Sequence, residues 1–205
     1  MRIRLRRQLA RLAFLRNDSA SQIVEFAVAL PLLILFVVGI FDFSGAFTLK
    51  QKLTNAARDA ARTAAAEPIT DLSASIPMSV SDAFYTVKTS LLANQINDCG
   101  IGPGNVTTSR PTWTYSVAGS SGNGCATAGL KIIINRGYYF PATSGNSPAG
   151  INCTSQTASG MAVLATCVSI QYGYQWKFGN AASLLGRTQM LPATISATAV
   201  AMNEN

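Results

Sequence analysis

The sequence predicts an α+β protein, with a long N-terminal helix that continues into a small antiparallel-sheet domain carrying one or two helices. Three observations lead there. An uncharged apolar run, Phe26 to Phe41, follows an Arg-rich start. Soon after it, "LTNAARDAARTAAAEP" (Leu53 to Pro68) repeats small apolar residues at helical spacing. Further on, β-branched and aromatic runs alternate with stretches rich in Gly, Ser, Thr and Asn, the punctuation of a sheet. At 205 residues the chain can hold one ordinary domain plus an appendage. The divisions expected are a basic leader (1–20), a transmembrane segment (21–49), an Ala-rich helical extension (50–67) and an outer α+β domain (68–205).

The leader comes first, because it explains the charge. The net charge is +7, but six of the 16 basic residues are Arg2, Arg4, Arg6, Arg7, Arg11 and Arg16. Past Asp18 the chain carries 10 basic and 8 acidic residues. The basicity is therefore terminal, and no basic face with interleaved aromatics is left to bind nucleic acid.

A basic run followed by an apolar run is the layout of a signal peptide or a signal anchor. The apolar character resumes after Asp42 with Phe43, Ala46, Phe47 and Leu49. One helix from Val24 to Leu49 would be about 39 Å long, enough to cross a bilayer and too long for an ordinary cleaved signal. The Arg excess on one side places the N-terminus in the cytoplasm and the remainder outside. Pro31 lacks an N–H, so a kink or local loosening is expected there. In the Ala-rich extension Leu53, Ala56, Ala57, Ala60, Ala61, Ala64 and Ala65 share one face, with Arg58, Asp59 and Arg62 opposite. Pro68 marks the stop. The whole is expected to be one helix from about Ser21 to Glu67, roughly 70 Å long. Its Ala seam could pack on the chain's own domain or on another subunit, with Ala57 and Ala61 at its centre.

Two acids stand out on this helix. Glu25 immediately precedes the apolar run, where a carboxylate is unfavourable unless it is paired. Asp42 interrupts the run near its outer end, where it is either solvated or in contact with a partner.

The residues from Val24 to Pro68, "VEFAVALPLLILFVVGIFDFSGAFTLKQKLTNAARDAARTAAAEP", closely resemble the TadE-like minor pilins of tight-adherence (Tad/Flp) pilus systems. The matching features are Glu25-Phe26, Pro31, Asp42-Phe43 and the N-A-A-R-x-x-A-R stretch Asn55 to Arg62. "VSIQYGYQW" (Val168 to Trp176), "LLG" (Leu184 to Gly186) and "ISATAVAMNE" (Ile195 to Glu204) fit as well. The resemblance implies a prepilin-type leader cut by a prepilin peptidase. With Glu fifth in the mature chain, the cut falls between Ala20 and Ser21. Ala20 stands where the family has Gly. It also implies other pilins or pseudopilins and inner-membrane assembly proteins as partners. Cleavage would give Ser21 an α-amino cation one helical turn from Glu25, able to pair with that carboxylate or with a neighbouring subunit's.

The outer domain contains all four cysteines, Cys99, Cys125, Cys153 and Cys167, which fits two disulfides in an oxidising compartment. Three connectivities are possible; Cys99–Cys125 with Cys153–Cys167 is favoured because each closes a Gly/Ser-rich loop. A helix is expected over Ser79 to Asn97, opened by the S-x-x-D pair Ser79 and Asp82 and ended by Gly100. Its buried stripe should be Phe84, Val87, Leu91 and Leu92. Strands are expected at Thr112–Val117, Leu130–Phe140 (turned at Gly137), Met161–Trp176 and Ala193–Val200. Cys99–Gly129, apart from the strand Thr112–Val117, and Thr143–Gly160 read as loops. "GIGPGN" (Gly100 to Asn105), "GSSGNG" (Gly119 to Gly124) and "GNSPAG" (Gly145 to Gly150) lack the Lys and the strand-to-helix context of a phosphate loop.

The chain has no histidine. Ser-His-Asp and Cys-His catalysis and the commonest metal ligand are thereby excluded. No cofactor and no small-molecule substrate is expected, and no enzymatic activity. The reading is a structural, membrane-anchored pseudopilin-like component whose helix spans the inner membrane. The alternative is an uncleaved, signal-anchored periplasmic domain that binds a ligand or a cell-envelope component.

Overall fold

In a computed structural model, the described residues form one very long helix, a second short helix and a five-stranded antiparallel sheet. The structure describes residues 18–141, 153, 162–177 and 192–204.

Helix α1 runs unbroken from Asp18 to Ala66, 49 residues, with Pro31 inside it. It already includes Asp18, ahead of the expected Ser21, so the Ala20–Ser21 bond lies within the helix. A 3₁₀ turn (Ile69–Asp71) follows, and then helix α2 (Met78–Ala93). The sheet is a meander in chain order: β1 (Val106–Ser109), β2 (Thr112–Val117), β3 (Leu130–Pro141), β4 (Ala162–Gly173) and β5 (Thr194–Met202). Both helices lie on one face of the sheet, with α1 against α2, β4 and β5, and α2 reaching β3.

The core forms where these faces meet. Period-two alternation in the strands sends Trp113, Tyr115, Leu130, Ile132, Ile134, Val168, Ile170, Ile195 and Ala197 toward the helices. The helices answer with Leu53 and the Ala seam from α1, and Val80, Ala83, Phe84, Val87 and Leu91 from α2. Phe84 stacks on Tyr115 at a centroid distance of 4.2 Å. Because the seam is almost all Ala, the α1 backbone lies close to its neighbours.

Helix α2 corrects three expectations. It starts on Pro77, whose carbonyl accepts from the Val80 and Ser81 amides, and no side chain caps it. Ser79 is buried in the first turn and is not the cap. The helix stops at Ala93 and not at Asn97, because Gln95 adopts a left-handed φ of 56°. The Ile96 amide then bonds the Leu91 carbonyl and the Gln95 amide bonds that of Leu92, closing the end as a glycine normally would. Leu92 is exposed, not part of the stripe; Ser79, Val80 and Ala83 complete the buried face instead.

Strand β1 lies inside a stretch read as loop. Three of its four residues, "VTTS", are exposed, so an edge strand of Thr and Ser carries no alternating apolar signal. The expected turn at Gly137 is a bulge. Asn135 pairs with Cys167 and Tyr138 with Ala165, so Arg136 and Gly137 together face Thr166. The extra residue keeps Arg136 on the helix side and moves Tyr138 to the opposite face, beside Ile133, Cys153, Ala165 and Cys167. A side chain at position 137 would run into the Pro111 ring at 2.7 Å, so the bulge needs glycine there.

The disulfides join Cys99 to Cys125 and Cys153 to Cys167, the pairs favoured by the loops they close. Among the long loops, most of Thr143–Gly160, including Gly145–Gly150, lies outside the described residues, as does Leu184–Gly186.

Candidate membrane and assembly site

The functional candidates all lie on α1, and their surroundings divide it in two. From Gln22 to Phe41 every described position is exposed or half-buried, with Ile23, Phe26, Val28, Phe36, Ile40 and Phe41 all more than 60% exposed. These 20 residues measure about 30 Å, the thickness of a bilayer's hydrocarbon core. Among the described residues this is the single helix long and apolar enough to cross a membrane. Glu25 stands exposed near its start, with Phe26 beside it at 64%.

Burial begins at Asp42. Ala46 and Leu49 follow at the spacing of one helical face, and the face then runs into Leu53, Ala56, Ala57, Ala60, Ala61 and Ala64. The seam thus starts three turns earlier than its alanines show in the sequence. Ala57 and Ala61 are buried in the chain's own core, which corrects the option of a seam offered to another subunit. Arg58, Asp59 and Arg62 line the exposed side, as their spacing predicts.

Asp42 is only 5% exposed, which corrects the solvated reading. The Tyr174 hydroxyl donates to its Oδ1 at 3.2 Å and to its main-chain carbonyl at 3.3 Å. Burial, reinforced by this hydrogen bond to a carboxylate, raises the Tyr174 pKa above that of an ordinary tyrosine. Gly45 makes the approach possible, since a Cβ there would stand 3.1 Å from the same hydroxyl. Trp176, two residues on, lies 4.9 Å from the Tyr174 ring and 5.3 Å from Phe43 on the helix. Its indole N–H donates to the Pro192 carbonyl at 2.8 Å.

Residues 20–62 match the TadE-like protein family. No curated protein and no solved structure matches the chain. The TadE-like segment covers the naked half of α1, the contact at Asp42 and most of the Ala seam. It supports a component associated with a tight-adherence pilus system. The outer sheet lies beyond the matched residues.

One residue escaped the sequence reading altogether. Arg136 is fully buried at the β3 bulge and donates to the carbonyls of Ala64, Glu67 and Pro68, at the end of the TadE-like helix. It also bonds Thr166 Oγ1 at 2.9 Å and Asn203 Oδ1 at 3.4 Å. A helix ends with unsatisfied carbonyls and a partial negative charge, and a guanidinium meets both requirements. The signal was present in "IIINRGYY", where Asn135 and Arg136 interrupt an apolar run in mid-strand.

Among the described residues no cluster of His, Cys, Asp or Glu could hold a metal ion.

Proposed function

We propose that the chain is a membrane-anchored, pseudopilin-like component of a tight-adherence pilus assembly system, with a structural role and no catalytic one. The observation that carries this reading is the division of α1: naked and apolar up to Phe41, then built into the core of a disulfide-bonded domain. A helix of this kind cannot move without its domain, so any force on the membrane half is transmitted directly to the outer half.

In this reading the leader stays on the cytoplasmic side, where a prepilin peptidase cuts it between Ala20 and Ser21. The domain lies on the oxidising side, in keeping with its two disulfides. Glu25 is the assembly residue. Exposed at the mouth of the span, it is placed to accept the α-amino cation of Ser21 from its own or a neighbouring chain. Asp42 has a different task, inside the chain's own contact with Tyr174.

The test is Glu25→Ala in cells that build the pilus, with the N-terminus of the purified protein read by mass spectrometry. Loss of piliation, together with a mature chain beginning at Ser21, supports the mechanism. Normal piliation with Glu25→Ala, or an intact Met1 in peptidase-competent cells, refutes it.

A further inference from the structure

The end of the naked helix coincides with an aromatic group drawn from two distant parts of the chain. Phe43 projects from α1 just past the last lipid-compatible turn and is 55% exposed. Tyr174 and Trp176 arrive from the end of β4 and pack edge to face beside it. Tyr174 and Trp176 pack against the rim of the core, and both are only half-buried, so part of each ring remains open beside Phe43.

Three further details give the group a common chemistry. The indole N–H is satisfied within the protein by the Pro192 carbonyl, so what the half-buried ring leaves open is apolar. The Asp42 carboxylate is turned inward onto Tyr174, so it does not meet what lies outside. Lys177, next to Trp176, is exposed and supplies a cation at the same level. On the open side of α1 the apolar surface continues to Phe47, 63% exposed. Helical side chains lean toward the helix N-terminus, and Phe47, one turn after Phe43 on the same face, covers the turn that carries Phe43.

Aromatic rings collect where hydrocarbon gives way to headgroups, and lysines beside them favour anionic headgroups. We propose that Phe43, Tyr174 and Trp176 form a collar that beds in the headgroup–acyl boundary of the leaflet beneath the outer domain, fixing how deep that domain sits. The proposal rests on α1 crossing the bilayer, and it adds that the sheet domain itself touches lipid through the end of β4.

The experiment uses the full chain in vesicles of phosphatidylethanolamine and phosphatidylglycerol, some carrying lipids brominated near the glycerol end of the acyl chains. The protein has two tryptophans, and Trp113 is fully buried in the core away from the collar. Vesicle-bound wild type should lose up to half of its tryptophan emission to the brominated lipid, and Trp176→Phe should lose almost none. Equal emission in plain and brominated vesicles, from protein that floats with them, would overturn the collar and leave the membrane-crossing helix standing. So would quenching of Trp176 by aqueous acrylamide alone, or shielding of Trp176 from both quenchers by a second copy. A chain that does not float with the vesicles overturns the crossing helix, and the collar with it.

Discussion

The guanidinium of Arg136 donates to the main-chain carbonyl of Glu67 across 2.7 Å, tying the bulge of β3 to the end of the 49-residue helix α1. The same side chain reaches the Ala64 and Pro68 carbonyls, so a single buried cation closes the C-terminus of α1. Removing it takes the shared donor from all three carbonyls, leaves Ala64 with only the Glu67 amide, and opens a hole where the side chain was fully buried. Arg136→Ala should therefore destabilise the protein by about 3 to 5 kcal/mol. Arg136→Lys should recover only part of that, because a compact ammonium cannot span carbonyls that the planar fork reaches together. Denaturant unfolding of the detergent-solubilised protein measures both. A change under about 1 kcal/mol for Arg136→Ala would contradict the capping role.

The Ala seam makes a second prediction. Ala61 is buried against the chain's own domain, and a larger side chain there must push α1 away from its neighbours. Ala61→Leu should cost about 1 to 3 kcal/mol in the isolated protein, and Arg62→Ala on the exposed side no more than about 0.5 kcal/mol. Urea midpoints of the two variants against wild type decide it. Had the seam served only another subunit, Ala61→Leu would leave the isolated protein's midpoint unchanged.

The two disulfides close loops of different length, with sequence separations of 26 and 14. The chain-entropy account assigns about 3.5 kcal/mol to Cys99–Cys125 and about 3 kcal/mol to Cys153–Cys167. Replacing either pair by serine should lower stability by comparable amounts, the first slightly more. Thermal unfolding of the two double variants, under non-reducing conditions, gives the comparison.

Alkaline pH supplies a fourth test. Burial, with a smaller contribution from Tyr85, pushes the Tyr115 pKa from 10.0 to about 12. The fold therefore holds the neutral phenol more tightly than the unfolded chain does. Its contribution is fully present below pH 10 and is lost as pH rises through about 12. The decline attributable to Tyr115 should reach about 2 to 3 kcal/mol. Stability of Tyr115→Phe should fall less over the same range, since the stacked ring remains without the ionisable hydroxyl.

Much of this was legible in the residues, for identifiable reasons. The apolar run and the Ala spacing of α1 are one-dimensional signals, so the helix and its buried face followed directly. Strands β2 and β3 carry dense β-branched and aromatic runs and could be placed to within a residue or so. What stayed hidden depends on contacts distant in sequence. Asp42 could be read as solvated or as a partner contact because Tyr174, 132 residues away, supplies its cover. Arg136 went unread because the helix end it closes lies 69 positions earlier. Strand β1 is visible only through its pairing with β2. Gln95 ends α2 in a conformation more often given to glycine, so no sequence rule pointed to it.

The continuity of α1 has a consequence for the direction in which the outer domain looks. Because one helix carries both the naked segment and the seam, each residue between Phe41 and Leu53 sets an angle of about 100° and a step of about 1.5 Å. Inserting one residue there would swing the whole domain about the helix axis relative to the groups facing lipid, and would carry Asp42 or Gly45 out of phase with Tyr174. Substitutions at exposed positions in this stretch leave the heading alone; changes in residue count do not. The helix thus acts as a compass needle as well as an anchor, and the number of residues along it decides which face of the domain a neighbour meets.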